Sequence, residues 1–383
     1  MDLADPRNCY PAVLISEAER RADCELDPNG SYLEGLTLVC NGLRGDRVTS
    51  DGRKMLATDA IKYLVNRAKI DDYHQRHLDL ATSVIEQPIV ILGLPRTGTT
   101  VLSYLFDQDP QWRSLLNWEA VQSVPPPTTA TLRTDRRCLE LLEFQETVFP
   151  LIDPPPPHWE WANGPTECTF LLAQDFKAAM WETRIPNEAY REFIANCDMS
   201  SAYRHHRRAL QVLQHHAPGR WVLKMPAHAF FVDALLAEYP DVRVIWAHRD
   251  PYKATASFMD LVGFAHGLSL GSPDIEWIRN TYPDRLLAHI ERARPALANR
   301  DVHHVHFLDF INDPIGSMEG IYEWIGATLD DDVRTSMTNW LAEDPIRRPR
   351  SRPYGLAEWG LSREELEPRF GDYVRDFGVG EEP

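Results

Sequence analysis

Residues 87–105, QPIVILGLPRTGTTVLSYL, contain an apolar β-type run that breaks at Gly93-Leu94-Pro95-Arg96-Thr97-Gly98-Thr99-Thr100 and resumes as an amphipathic helix. A strand ending at Leu92, glycines that let the backbone turn tightly and a helix beginning near Gly98 would aim unpaired N–H groups and a positive helix end at one anion. Thr97, Thr99 and Thr100 add hydroxyl donors, and Arg96 places a cation inside the turn. The loop has the two-glycine frame of a P-loop, yet Thr99 stands where a Walker loop has its lysine, which points away from ordinary ATP chemistry. Glycine and proline between a strand and a helix often make only a connector. The arginine and the threonines packed into this one favour the anion reading.

Further short apolar runs follow at Trp221-Val222-Leu223, at Val242–Trp246 and at Val302–Phe307, separated by helical patterns. That alternation predicts an α/β fold with a central parallel sheet covered by helices on both faces. Residues 14–82 carry helical spacing, for instance Met55, Leu56, Ile61, Tyr63, Leu64 and Val65, and predict an N-terminal helical segment. The proline clusters Pro125–Pro127 and Pro154–Pro157 predict extended loops. Beyond the second cluster, helices are expected around 166–182 and 187–216. The first carries the large apolar residues Phe170, Leu171, Leu172, Phe176 and Trp181, which core packing explains better than substrate contact. The domain reading is an N-terminal helical segment over 1–84 and an α/β domain over 85–383 with a helical insertion at about 150–216.

At 383 residues the chain is long enough for an enzyme cleft, and its formal net charge of −17 opposes nonspecific binding to nucleic acid or anionic lipid. A small-molecule ligand is the better expectation. The six cysteines (Cys9, Cys24, Cys40, Cys138, Cys168 and Cys197) are scattered without a C-x-x-C pair and read as reduced structural thiols. No signal-type leader and no bilayer-length apolar segment is evident, so the expected location is the cytoplasm. The histidines lack H-E-x-x-H or Cys/His zinc spacing, and no metal is expected. Homo-oligomerisation stays open.

A second constellation is Trp246-Ala247-His248-Arg249-Asp250-Pro251-Tyr252-Lys253-Ala254-Thr255-Ala256-Ser257. Arg249 follows a hydrophobic strand, Asp250 can cap the next helix with Pro251 at its first position, and Ser257 comes about two turns in. That spacing would let the forked Arg249 and the Ser257 hydroxyl approach one phosphate. An Arg-Asp pair at a helix start is, by itself, more often structural.

Taken in order, the Leu94–Thr100 loop, the strand end Leu223-Lys224-Met225-Pro226-Ala227-His228 and the Arg249-Asp250-Pro251…Ser257 element resemble the PAPS-dependent sulfotransferase family, and most of all its bacterial, actinobacterial-type branch. The resemblance covers roughly residues 85–377. It implies a P-loop-type α/β core that binds 3′-phosphoadenosine-5′-phosphosulfate (PAPS) and releases PAP. By position, Pro95, Arg96, Thr97, Gly98, Thr99 and Thr100 would hold the 5′-phosphosulfate end, while Arg249 and Ser257 would hold the 3′-phosphate. Arg96 replaces the lysine common in the cytosolic members, and the C-terminal G-x-x-G-D-W-K segment of that group has no equivalent here. The basic stretch 347–355, with Arg350 and Arg352, would close over the nucleotide in its place or form a solvated basic turn.

The resemblance implies transfer of a sulfonate group to a hydroxyl or amine of a small acceptor by in-line displacement, and the aromatics around 144–190, among them Phe149, Trp159 and Trp161, fit a lipophilic acceptor and core packing equally well. Arg96 and Lys224 would stabilise charge on the leaving oxygen. For the base that takes the acceptor proton, Glu119, His158 and His228 are the candidates. Two other readings remain: a P-loop small-molecule kinase, which would need Mg²⁺ and a Walker lysine, and a nucleotide-binding protein without turnover.

Overall fold

The computed structural model describes residues 1–152, 156–343 and 355–382. Its centre is a five-stranded parallel sheet of order β2-β3-β1-β4-β5, formed by β1 (Ile89–Gly93), β2 (Trp112–Ser114), β3 (Arg220–Lys224), β4 (Arg243–His248) and β5 (Val302–His306). Every residue of β1 is buried, as a central strand covered on both faces requires. β1 pairs with β3 on one side and β4 on the other, with Ile91 opposite both Lys224 and Ile245. The chain therefore leaves β1 at the point where strand order reverses, which in open parallel sheets is the place of the ligand crevice, here beyond the carboxyl ends of β1, β3 and β4.

The expected N-terminal helices are α1 (Pro11–Ala22), α2 (Leu33–Leu43) and α3 (Ser50–Arg76), followed by a 3-10 turn at Leu78–Thr82. The Thr49 hydroxyl accepts from the Gly52 amide at 3.0 Å and sets the start of α3. One hydrophobic cluster runs from Leu14 on α1 through Leu64 on α3 and Tyr203 to Trp246 on β4, so these helices share a core with the sheet. A second cluster lies on the opposite sheet face, where Ile89, Ile91 and Ile245 meet Leu102, Phe106 and Ile321.

Two expected helices are interrupted. The 166–182 stretch consists of Thr169–Leu172, a 3-10 turn at Ala173–Asp175 and Ala179–Glu182. Phe176, at φ 53°, breaks it. The Tyr190 hydroxyl bonds the carbonyls of Phe176 and Ala178 at 2.9 and 3.0 Å, and Arg67 pairs with the buried Asp175 at 2.9 Å, so tertiary partners replace the helical ladder. The 187–216 stretch is Glu188–Asn196 and Ser200–Gln214. Between them Asp198 turns its carboxylate onto the Ser200 amide at 2.9 Å. No described helix is long and apolar enough to cross a membrane.

Candidate active site

Gly93 ends β1 at φ 147°, and a Cβ there would lie 2.3 Å from the Ala247 carbonyl oxygen of β4, so only glycine permits this approach of the two strands. The loop then turns through Arg96 at φ 71° and Gly98 at φ 84°, and Gly98 caps α4 (Thr99–Phe106). Arginine in the left-handed region is strained and needs support from its surroundings. That support is visible: the Arg96 carbonyl accepts from an Arg249 terminal nitrogen at 2.5 Å, and its Nε donates to Ser257 Oγ at 3.1 Å. The Thr97 hydroxyl closes the turn by donating to the Leu94 carbonyl at 2.8 Å. Pro95, Thr97 and Thr99 are buried, while Arg96, Gly98 and Thr100 are half-buried at the crevice.

Arg249 follows β4, and Asp250 caps the Pro251–Leu270 helix by accepting from the amides of Tyr252 (2.9 Å) and Lys253 (3.4 Å), as the spacing predicted. Ser257 lies on that helix, buried, within reach of Arg96. The Arg249 guanidinium rests on the Phe307 ring at 4.1 Å. Its Nε and a terminal nitrogen donate to the two carboxylate oxygens of Glu382 at 2.6 and 2.8 Å. The Glu382 amide in turn donates to Asp250 at 3.2 Å. The loop, Arg249 and Ser257, predicted separately, thus form one hydrogen-bonded unit.

The second half of the site stands at the end of β3. Lys224 is 1% exposed, and its Nζ donates to Glu160 at 2.7 Å and to Glu167 at 3.1 Å. Burial penalises the ammonium, but the two carboxylates outweigh it and raise the Lys224 pKa. Burial likewise disfavours the Glu160 carboxylate, yet Lys224 and His158 hold its pKa below the ordinary range. The other Glu160 oxygen accepts from the Thr166 hydroxyl. His158 is partly exposed, and its Nε2 lies 3.2 Å from the Glu160 carboxylate. The Pro157 carbonyl accepts from Arg96 at 3.2 Å, which ties this segment to the phosphate loop. The segment is fixed at its far end by isolated bridges of Pro165 to Leu116 and of Glu167 to Lys224.

Two candidate bases are corrected by their surroundings. Glu119 is fully buried, with both carboxylate oxygens on the Arg113 guanidinium and one also accepting the Leu116 amide at 3.2 Å. It caps a short helix over Asn117–Val121 and does not reach the crevice. His228 is also fully buried. Its Nδ1 meets the Tyr203 hydroxyl at 2.7 Å, and burial, with His206 nearby, pushes its pKa well below the histidine range. Arg350 and Arg352 lie outside the described residues.

Sequence reasoning missed Glu160, Glu167, Phe307 and Glu382. For Glu160 a signal existed: a carboxylate between Trp159 and Trp161 must find a cation or be neutralised if the tryptophans pack inward. Trp159 and Trp161 do pack, forming a cluster with Phe149 at centroid distances of 4.8–6.0 Å.

Comparison with known proteins bears on the fold and the family. The sulfotransferase STF9 from Mycobacterium avium superposes with a TM-score of 0.90 at 38% identity over 97% of each chain. STF1 from Mycobacterium tuberculosis H37Rv gives 0.82 at 28% identity, covering 96% of this chain and 99% of that one. The omega-hydroxy-beta-dihydromenaquinone-9 sulfotransferase Stf3 of Mycobacterium bovis is 24% identical over 260 residues. This chain spans 64% of the length of that curated relative, and the match takes in 64% of this chain. The family model described as "Sulfotransferase family" matches residues 88–331, from the start of β1 to beyond β5, and the chain belongs to that family.

Proposed function

We propose that the protein transfers the sulfonate group of PAPS to a hydroxyl or amine of a small lipophilic acceptor. The observation that carries the reading is the linkage of Arg249, Arg96 and Ser257 around the loop ahead of α4, with Lys224 across the crevice and joined to the same loop through the Glu160–Pro157 segment. The loop amides and the α4 N-terminus suit the 5′-phosphosulfate end, and Arg249 with Ser257 suits the 3′-phosphate. The acceptor oxygen forms a bond to sulfur as the bond from sulfur to the bridging phosphate oxygen breaks. Arg96 and Lys224 stabilise the charge that gathers on that oxygen, and PAP leaves. His158 Nε2 or Nδ1 takes the acceptor proton, and Glu160 both orients that ring and anchors Lys224. No step requires a metal.

A lipophilic acceptor is supported by the Phe149, Trp159 and Trp161 cluster beside His158. The relative Stf3, named for omega-hydroxy-beta-dihydromenaquinone-9, points the same way. Labelled PAPS with a panel of lipophilic alcohols, phenols and amines, read by mass spectrometry, tests the reading. A sulfated product and PAP are expected. Binding of ATP–Mg²⁺ without binding of PAP would overturn it in favour of a kinase, and PAP binding without any sulfated product would favour a nucleotide-binding protein.

A further inference from the structure

Among the described residues, two groups bring three metal-type ligands together: His158, Glu160 and Glu167, and His77, Asp79 and His215. The first is already filled by the Lys224 ammonium, which lies between its carboxylates and would repel a cation. The second has no such counter-charge in its midst. We propose that His77, Asp79 and His215 form a binding site for a divalent transition-metal cation of the zinc type, which clips the end of α3 to the end of the Ser200–Gln214 helix.

Fold, not spacing, assembles this site. His77 is the residue after α3, Asp79 is the second residue of the 3-10 turn that follows, and His215 comes from the cap of a helix more than a hundred residues later. One nitrogen from each ring and one carboxylate oxygen lie within 4.8 Å of one another. His215 Nε2 is 3.4 Å from Asp79 Oδ2. Two ligand atoms, each about 2.1 Å from a tetrahedral zinc ion, are separated by about 3.4 Å, so this pair needs no rearrangement to share one cation.

The rings are held as metal-binding imidazoles usually are. The Tyr73 hydroxyl meets His215 Nδ1 at 2.9 Å, fixing that ring and directing Nε2 toward Asp79. Tyr73 also stacks on His77 at 4.1 Å with a 22° interplanar angle, and His216 stacks on His215 at 4.2 Å. Two imidazoles and one carboxylate suit zinc better than magnesium or calcium. Asp79 has 69% of its side chain exposed, leaving room for water to complete the coordination.

The site stands apart from the sulfonate chemistry. Its residues precede the amino ends of β1 and β3, whereas the phosphate loop and Lys224 lie at the carboxyl ends of the same strands. Its role is a fastening between the N-terminal helices and the sheet-covering helix.

The test is calorimetric titration of ZnCl₂ into the metal-stripped full chain, run beside Asp79→Asn and His215→Gln, with thermal melts of each. Wild-type protein is expected to bind one equivalent and to melt at a higher temperature with zinc. Asp79→Asn, at an exposed side chain that leaves the fold intact by circular dichroism, should weaken binding at least about tenfold and lose the zinc-dependent rise. Cobalt in place of zinc should give the visible absorption of a tetrahedral centre in wild type and lose it in both variants. Absence of binding by wild type, or equal affinity and stoichiometry in all three proteins, overturns the proposal; the second result would place the cation elsewhere on the chain.

Discussion

The two halves of the crevice are built by opposite means. On the loop side, the groups that would face the donor are each set by a local pattern, although the two patterns stand far apart in the chain: residues 94–100 turn because of Gly93 and Gly98, and Arg249 and Ser257 are set by one capped helix. On the lysine side, Lys224 comes from β3, Glu160 and His158 from an irregular stretch after the proline cluster, and Glu167 from the segment bridged to β3. The first side is made of backbone donors and forked cations, which suit binding, with Arg96 also placed to serve the leaving oxygen in the proposed reaction. The second is a buried ion-pair network around one ammonium, which suits charge that appears only during reaction. The contrast suggests a division between donor affinity and turnover.

The largest expected effect breaks the lysine side. Lys224→Ala should lower kcat by about 10²–10³-fold, as removal of a transition-state donor does, while calorimetric PAP affinity stays within about threefold. Equal loss of both quantities would abolish the division. Next, Arg249→Ala removes charge-assisted hydrogen bonds worth about 1.5–3 kcal/mol, so PAP should bind about 10–150-fold more weakly. The 3′-hydroxyl analogue should be little affected, and an equal loss for both nucleotides would remove Arg249 from the 3′-phosphate. The smallest effect sharpens the picture of the loop side. Because the Glu382 carboxylate occupies the Arg249 fork, a 3′-phosphate must displace it. Glu382→Gln, with its weaker neutral acceptor, should tighten PAP binding by about three- to tenfold without changing affinity for the analogue. Unchanged PAP affinity would mean that the two anions do not compete.

The same contrast explains what could be read in the sequence. The glycine turn, the Asp250 cap and four strand runs each rest on a local pattern, and each is found in the fold. β2 has only Trp112, Arg113 and Ser114, too few residues to show an alternation, and its pairing with β3 makes it a strand. The helix break at Phe176 depends on Tyr190 and Arg67, which no window around residue 176 contains. Glu119, a candidate base in the sequence, is held by Arg113, six residues before it and visible as a partner only once both are buried. Glu160 and Glu167 were missed for the same reason: their importance lies in sharing a lysine about sixty residues away.

Gly93 carries a consequence for how such a molecule can diverge. A side chain there would wedge β1 from β4 and part the loop from Arg249, so the proposed donor grip tolerates little remodelling. The stretch from Pro157 to Pro165 is pinned to Arg96 at one end and to Leu116 at the other, with no regular strand or helix of its own between them. Side-chain exchanges there would reshape the proposed acceptor wall, while the bonds of Gln145 to Glu160 and Ala162 and of the Asn117 and Trp118 amides to Gly164 and Ala162 hold its backbone in place. New acceptor preferences are therefore best sought by varying the aromatic positions of this span at constant Glu160.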